Sequence, residues 1–296
     1  MSKIGDLSIK ANPPTLTLTM NSDKQAQKMI STISKSINDI NPTFLKKNKI
    51  PNLGRRNIIT GCSIMPTGEI VLVDDNTDSL IIFNENGLFD CEMPVSALTV
   101  DATYIDENTV AVTRSENPSH IVIFNIRNKK IVKMIKTSGQ WYGITNRNGK
   151  LVYYETGSGI QTVDVNNEST INTVVKIDDE NHWNYVATLK DKIYHANYYS
   201  DTVTCYTITG QKVWEYKDES ILKEPRGVTI DNDSNVYVAS RENNRIVVIS
   251  PDGKYARELL GGEHKIEEPY CIHFDQNRNI LLISNSRGTA FLYKIT

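Results

Sequence analysis

The sequence predicts an all-β protein that folds as a six-bladed β-propeller of four-stranded blades. A pattern of four short strands separated by polar turns occurs six times along the 296 residues. The first strands of these units begin at intervals of 40, 42, 42, 42 and 44 residues. A constant period of about forty residues is typical of propeller blades and argues against a sandwich or a pair of barrels.

The fifth unit, residues 227–260, shows the pattern most clearly, because alternating apolar residues and turn residues delimit all its strands. First strands begin near Gly61, Asp101, Gly143, Tyr185, Gly227 and Cys271. Second strands are predicted at 70–74, 109–113, 151–155, 193–197, 236–240 and 280–284. Third strands are predicted at 79–84, 120–125, 160–165, 202–207, 245–250 and 290–295. Fourth strands are predicted at 89–94, 131–136, 171–176, 213–217 and 256–260.

The sixth unit ends at Thr296 with its third strand, so its outer strand is missing from the repeat. An open ring would expose an unpaired strand edge. We therefore predict that residues 43–50 complete the sixth blade, which gives a propeller over residues 43–296. Residues 1–42 form an N-terminal extension, in which the pattern indicates a strand at 15–20 and a short helix at 22–40.

Strand direction alternates within a blade, so the loops that enter the first strands share one face with the loops between second and third strands. We call this the loop face, and the opposite one the turn face. Aromatic residues and arginines are enriched at binding hot spots. The candidates on the loop face are Trp141, Tyr142, Trp183, Arg226, Arg241, Arg245, Tyr270 and Arg287. The alternatives are that the aromatic side chains pack between blades and that the arginines are solvated loop residues.

The fifth unit reads EPRGVTID (224–231), NVYV (235–238) and NRIVV (244–248). It resembles an NHL repeat, in which P-x-G and an aspartate frame the first strand and N-x-R begins the third. The order of parts over residues 40–296 is similar to the propeller of tripartite-motif (TRIM–NHL) proteins, especially the divergent invertebrate and molluscan type. This resemblance implies a propeller that recruits protein targets or RNA. No Cys/His cluster for RING or B-box modules occurs in the sequence, so the resemblance implies a link to ubiquitin signalling only through other chains or modules.

Three functions remain to be compared, and a protein-interaction propeller without enzymatic activity is the leading prediction. Single-stranded RNA binding is the alternative, and it needs a basic surface with exposed aromatic residues. Residues 1–60 contain ten Lys/Arg and three Asp/Glu, which gives +7, and the whole chain carries −2, which leaves −9 for the rest. The acidic propeller therefore favours a protein partner over RNA, and no DNA binding is expected.

The third function is a calcium-dependent lactonase of the gluconolactonase/paraoxonase type, which is also six-bladed. That chemistry needs a calcium ion held by oxygen ligands from several first strands. Among the six residues at which those strands begin, Asp101 is the only carboxylate. We therefore predict no catalytic residues, no metal ligands and no cofactor.

The four cysteines form no C-x-x-C pair, and the first residues lack the apolar segment of a secretory signal. No apolar run approaches the length of a membrane span. These features predict a cytoplasmic protein with no membrane partner. We expect a monomeric propeller unless the natural full-length protein contains a coiled coil.

Overall fold

The computed structural model describes residues 36–51, 57–95, 98–114, 119–167, 170–178 and 182–296. In this part of the chain, 24 strands form six antiparallel sheets of four strands each. Neighbouring sheets contact each other through their innermost strands in ring order, and the last sheet contacts the first. The predicted six-bladed propeller is therefore confirmed.

The blades are numbered one to six in chain order, and each is given from its inner to its outer strand. Blade one contains β2 (Ile59–Ile64), β3 (Ile70–Asp74), β4 (Ser79–Phe83) and β5 (Phe89–Pro94). Blade two contains β6 (Thr99–Tyr104), β7 (Thr109–Arg114), β8 (His120–Asn125) and β9 (Lys130–Lys136). Blade three contains β10 (Trp141–Arg147), β11 (Lys150–Glu155), β12 (Gly159–Asp164) and β13 (Ile171–Val175).

The second half of the ring repeats this arrangement. Blade four contains β14 (Tyr185–Leu189), β15 (Lys192–Asn197), β16 (Thr202–Thr207) and β17 (Lys212–Lys217). Blade five contains β18 (Pro225–Ile230), β19 (Val236–Ser240), β20 (Arg245–Ile249) and β21 (Ala256–Leu260). Blade six contains β22 (Pro269–Asp275), β23 (Ile280–Asn285), β24 (Thr289–Ile295) and the N-terminal β1 (Pro42–Lys49).

The ring is closed by β1, which pairs antiparallel with β24 as the outer strand of blade six. The prediction of a closing strand is confirmed, and the observed strand begins one residue before the predicted 43–50. Just before β1, the Asn41 N–H donates to the Thr296 carbonyl oxygen at 2.9 Å, and the Thr296 N–H donates back at 3.2 Å. The two ends of the propeller are thus joined by a continuous backbone ladder.

The segment before β1 is anchored on blade five. Its Ile37–Asp39 portion forms a single 3-10 turn, and Ile37 and Ile40 are buried in the core between blades five and six. Arg257 on β21 donates to the Ile37 carbonyl at 2.9 Å and to the Ile40 carbonyl at 2.6 Å. The end of the helix predicted at 22–40 is therefore this one turn. The rest of that helix and the strand predicted at 15–20 lie outside the described residues.

The blades pack face to face through apolar side chains, and this packing explains the long apolar runs in the sequence. Strands β3 and β4 are buried along their whole length, whereas the outer strand β5 is largely exposed. Burial of these side chains between sheets is the main force that holds the ring together. Within the described ranges, no helix is both long and apolar enough to cross a membrane.

The innermost strands have one edge with no neighbouring strand, so their amides need other acceptors. Side chains from the preceding blade supply several of them. The bonds run from Ile144 N to Asp101 Oδ2 (3.0 Å), Asn146 N to Thr103 Oγ1 (3.3 Å), Phe274 N to Thr229 Oγ1 (3.0 Å) and Ile64 N to His273 Nδ1 (3.3 Å). Polar side chains along the channel therefore connect one blade to the next.

Candidate functional site

The loop-face end of the first strand carries a β-bulge in three blades that contribute candidate residues. In blade five, Pro225 pairs with Ser240 and Val228 pairs with Val238, so β18 has one residue more than β19 over this stretch. The same irregularity occurs in β10 and in β22. A bulge bends the strand and redirects the side chain beside it. The residues redirected here are Tyr142, Arg226 and Tyr270.

Two of these bulges contain a glycine that permits close approach of the next blade. A Cβ atom on Gly143 would lie 2.5 Å from Tyr185 Cα, and one on Gly227 would lie 2.7 Å from Ile272 N. Real side chains do not fit at such distances without displacement of the backbone. The glycines of the repeat therefore bring the inner strands together and narrow the loop-face end of the channel.

Arg226 lies at this end of the channel and contacts three aromatic rings. Its guanidinium carbon lies 4.0 Å from the ring centroid of Tyr198, 4.6 Å from that of Tyr270 and 4.8 Å from that of Trp183. Such distances give favourable cation–π attraction. Arg226 is 4% exposed, and its Nε and Nη1 atoms are buried with no hydrogen-bond partner among the described residues.

The rings around Arg226 continue into a larger set of contacts. Tyr142 Oη lies 2.8 Å from His182 Nδ1, and the Tyr142 ring packs 5.3 Å from Trp183. Tyr198 packs edge-to-face against Tyr199 at 4.9 Å, and Tyr199 is 53% exposed. We call the following residues the arginine–aromatic cluster: Tyr142, His182, Trp183, Tyr198, Tyr199, Arg226 and Tyr270. Tyr142, Arg226 and Tyr270 are the buried members of this cluster, and Tyr199 is exposed to solvent.

Burial raises the pKa of three phenols of this cluster, those of Tyr142, Tyr198 and Tyr270. It raises the pKa of Tyr142 to about 12, with smaller contributions from Tyr199 and Asp75. Burial also raises the pKa of Tyr270, although the nearby Arg226 opposes this shift. The Asp75 carboxyl has a pKa raised to about 6 by burial and by Asp78 and Asp74. A carboxyl with a pKa of about 6 is mostly ionised at pH 7, so Asp75 places a negative charge near Tyr142 and Tyr270, whereas the charge within the cluster itself is that of Arg226.

The other predicted arginines are each paired with glutamates. The ion pairs are Arg241–Glu224 (2.8 Å), Arg245–Glu258 (3.1 Å), Arg287–Glu267 (3.3 Å) and Arg287–Glu268 (3.4 Å). The charge of each of these three arginines is therefore balanced by a glutamate. Of the four predicted arginines, Arg226 alone has no carboxylate partner in the described part of the chain.

The sequence interpretation identified four members of the cluster and missed three. Tyr142, Trp183, Arg226 and Tyr270 are in mutual contact. Trp141 is the first residue of β10, and its side chain lies outside the described part.

The three missed members are Tyr198, Tyr199 and His182, which lie in blade-four loops. The paired tyrosines between the second and third strands of that blade are a signal that could have been used.

Below the cluster, Tyr185 crosses the channel. Its hydroxyl donates to the carbonyl oxygen of Thr60 at 2.8 Å, and both residues are buried. Blade four is thereby joined to blade one on the far side of the ring. Tyr185 therefore spans the channel near its loop-face end.

A calcium site of the lactonase type does not fit the residues at this end. Both oxygens of Asp101 already accept backbone N–H groups, from Ala102 at 2.9 Å and from Ile144 at 3.0 Å. Burial raises the pKa of this carboxyl to about 8. Over the described ranges, no three His, Cys, Asp or Glu side chains come together in a group that could hold a metal ion. Calcium needs six to eight oxygen ligands.

Two thiols meet where blade six contacts blade one. Cys62 and Cys271 are free and buried in the same apolar cluster. Burial, followed by a hydrogen bond with Cys271, raises the pKa of the Cys62 thiol well above its ordinary value. A thiol with a raised pKa is a poor nucleophile. The pair therefore acts as part of the core.

Comparison with known families gives one match that covers much of the propeller. The model of the family described as SMP-30/Gluconolactonase/LRE-like region matches residues 129–286. Among curated proteins, the E3 ubiquitin-protein ligase TRIM56 of Mus musculus is 28% identical over 87 residues, which are 29% of this chain and 12% of that protein. TRIM56 of Homo sapiens is 29% identical over 87 residues, or 11% of its length. The chain thus covers a small part of these relatives.

Solved structures share the fold at low sequence identity. A structural genomics protein of unknown function from Bacteroides thetaiotaomicron has a TM-score of 0.72 and 10% identity, and the match covers 87% of this chain and 76% of that one. The virginiamycin B lyase of Staphylococcus aureus has a TM-score of 0.62 and 14% identity, with coverage of 87% and 100%. At these identities the likeness establishes the fold alone.

Proposed function

The chain belongs to the SMP-30/gluconolactonase/LRE-like family of β-propellers, and from this premise we propose that it is a recognition module and not an enzyme. In this proposal a protein partner binds the loop face at the arginine–aromatic cluster. The partner contributes an acidic group, which approaches Arg226 beside the exposed ring of Tyr199.

The observation that carries the proposal is the burial of Arg226 without hydrogen-bond acceptors for Nε and Nη1 among the described residues. A buried cation that has two nitrogens without acceptors, as Arg226 has at Nε and Nη1, loses hydration without full compensation. Three aromatic rings compensate part of this cost through cation–π attraction. A carboxylate of a partner bound beside Tyr199 would supply a counter-charge to the guanidinium. Trp, Tyr and Arg are also the residue types that dominate interface energetics.

The pairing of the other arginines supports a protein partner over single-stranded RNA. Affinity for a nucleic-acid backbone comes from several cations that neutralise phosphates. On this face Arg241, Arg245 and Arg287 are already held by glutamates. One unpaired arginine among aromatic rings suits the recognition of one acidic group.

The channel residues do not fit a calcium site of the lactonase type, and this supports a function without catalysis. Both carboxyl oxygens of Asp101 accept backbone amides. The side chain of Tyr185 occupies the part of the channel in which calcium ligands from several strands would converge. We expect no hydrolysis of lactones above the buffer rate when calcium is added. A calcium-dependent rate that disappears on Asp101→Asn would overturn this part of the proposal.

The cellular setting is also part of the proposal. All four cysteines are free thiols, three of them buried, which suits the reducing environment of the cytoplasm. The short similarity to TRIM56 supports a role beside ubiquitin signalling. In that role the propeller recognises a target, and other chains or modules supply the ligase chemistry.

A random-peptide display library tests the site directly. The wild-type chain should enrich peptides that contain Asp or Glu, and Tyr199→Ala should weaken their binding by about tenfold, as truncation of a hot spot does. Tyr255→Ala is the matched control, because Tyr255 is 67% exposed and lies on the turn face. Peptides that bind Tyr199→Ala as well as wild type would exclude this site. Salt-sensitive RNA binding without peptide enrichment would favour the RNA alternative.

A further inference from the structure

The channel contains a cavity of about 650 Å³ that is separate from the loop-face cluster. Cys62 of blade one and the inner strands of blades two to six line it. At the loop-face end Tyr185 bridges to Thr60 across the channel, and no residue of the arginine–aromatic cluster lines the cavity. The lining also includes Asn148, Lys190 and Gln276, which lie in the turns after the first strands. The cavity therefore opens on the turn face.

The wall of this cavity offers hydrogen-bond donors near the turn-face ends of the first strands. The Nδ1 atom of His273 accepts the Ile64 N–H, and burial lowers the pKa of this histidine to about 4. The neutral ring therefore carries its proton on Nε2. Thr103 and Thr229 also use an oxygen lone pair to accept an amide of the next blade. Their hydroxyl hydrogens remain as donors.

The mouth of the cavity is positively charged. Arg147 and Lys190 both line it, and the Arg147 Nε–H donates to the Lys190 carbonyl oxygen at 2.6 Å. This bond fixes the guanidinium beside the entrance. Among the described residues that line the cavity, Asp101 is the only acidic one, and both of its oxygens already accept backbone amides. A polar channel with hydrogen-bond donors on its wall and two cations at its mouth is complementary to an anion.

We propose that this channel is a binding site for a small organic anion, which enters from the turn face and places its phosphate or carboxylate between Arg147 and Lys190. The volume lies within the range of about 300–1,000 Å³ that is usual for small-molecule sites. Cationic side chains are the usual ligands of phosphate and carboxylate groups. The site is independent of the protein-binding surface, because the two lie at opposite ends of the channel.

Isothermal titration calorimetry with three probes tests the proposal. Glucose 6-phosphate and glucose are a matched pair that differ in the anionic group, and citrate represents carboxylates. We expect at least one of the two anions to bind with one-to-one stoichiometry and glucose not to bind. The variant Arg147→Gln/Lys190→Gln should weaken that binding by about tenfold or more. Lys136→Gln, on an outer strand, is the control.

A second variant separates loss of the site from loss of the fold. Thr188→Phe places a large ring in the cavity lining, and it should abolish anion binding while a circular dichroism spectrum of the folded propeller is retained. The proposal is wrong if neither anion binds at about 10 mM, which corresponds to the weakest small-ligand affinities. It is also wrong if glucose binds as well as glucose 6-phosphate, or if both mouth and lining variants bind like wild type.

Discussion

The hydroxyl of Tyr185 donates to the carbonyl oxygen of Thr60 at 2.8 Å and so joins blade four to blade one across the channel. Because both residues are buried, Tyr185→Phe should leave the carbonyl without this donor and lower the free energy of unfolding by about 1–3 kcal/mol. Urea titration measures the change. Tyr255→Phe, on an exposed tyrosine, should leave the midpoint unchanged. Equal midpoints for all three proteins would show that the bridge has no stabilising role.

We expect the closing strand β1 to raise the thermal stability of the propeller. Deletion of residues 1–50 removes β1, which pairs with β24 along its whole length. Loss of several ladder hydrogen bonds at about 1 kcal/mol each should lower the thermal midpoint by about 10 °C or more. Deletion of residues 1–35 keeps the strand and serves as the control. Matching midpoints for the two deletions would contradict closure by β1.

The close approach of blades five and six predicts a strong effect of one methyl group. Gly227→Ala would place a Cβ 2.7 Å from Ile272 N and 2.9 Å from Cys271 Cα, so the inner strands must separate. We expect a loss of about 1–3 kcal/mol in the free energy of unfolding, as in other overpacked sites. Gly262→Ala is the control, since nothing lies within 4 Å of its added Cβ. A loss no greater than that of Gly262→Ala would refute the packing argument.

Asp101 should make the stability of the protein depend on pH. Burial raises the pKa of its carboxyl to about 8 in the folded state, whereas the unfolded chain has the ordinary value of about 4. Between these values the folded state holds a proton that the unfolded state has released, so stability falls as pH rises. Relative to Asp101→Asn, wild type should lose unfolding free energy from about pH 5 to about pH 8. Parallel pH profiles of the two proteins would contradict this assignment.

The sequence was sufficient to predict the fold because each blade repeats the same alternation and turn chemistry. The second strand of blade one, for example, was predicted at 70–74 and is observed as Ile70–Asp74. The absence of an outer strand after Thr296 was enough to predict the closing strand, which the structure places at Pro42–Lys49. Both inferences need only local pattern and a count of strands.

The candidate site was predictable only in part, because it depends on register and contacts between blades. The bulges that turn Tyr142, Arg226 and Tyr270 toward the channel arise from pairing offsets that no local pattern encodes. The glutamate partners of the other arginines could not be predicted from the sequence either. The unpaired Arg226 therefore could not be distinguished from the paired Arg241. Contacts with Tyr198 depend on how blade four approaches blade five.

A double-mutant cycle tests the central claim, that Arg226 recognises an acidic group of a protein partner. The affinity of a selected acidic peptide is measured for wild type and Arg226→Lys, and again with the acidic residue of the peptide replaced by its amide. The cycle isolates the interaction between these two groups. We predict a coupling energy of at least about 1.5 kcal/mol, as for close charge pairs at interfaces. A coupling energy of zero, with both proteins folded, would contradict the proposal.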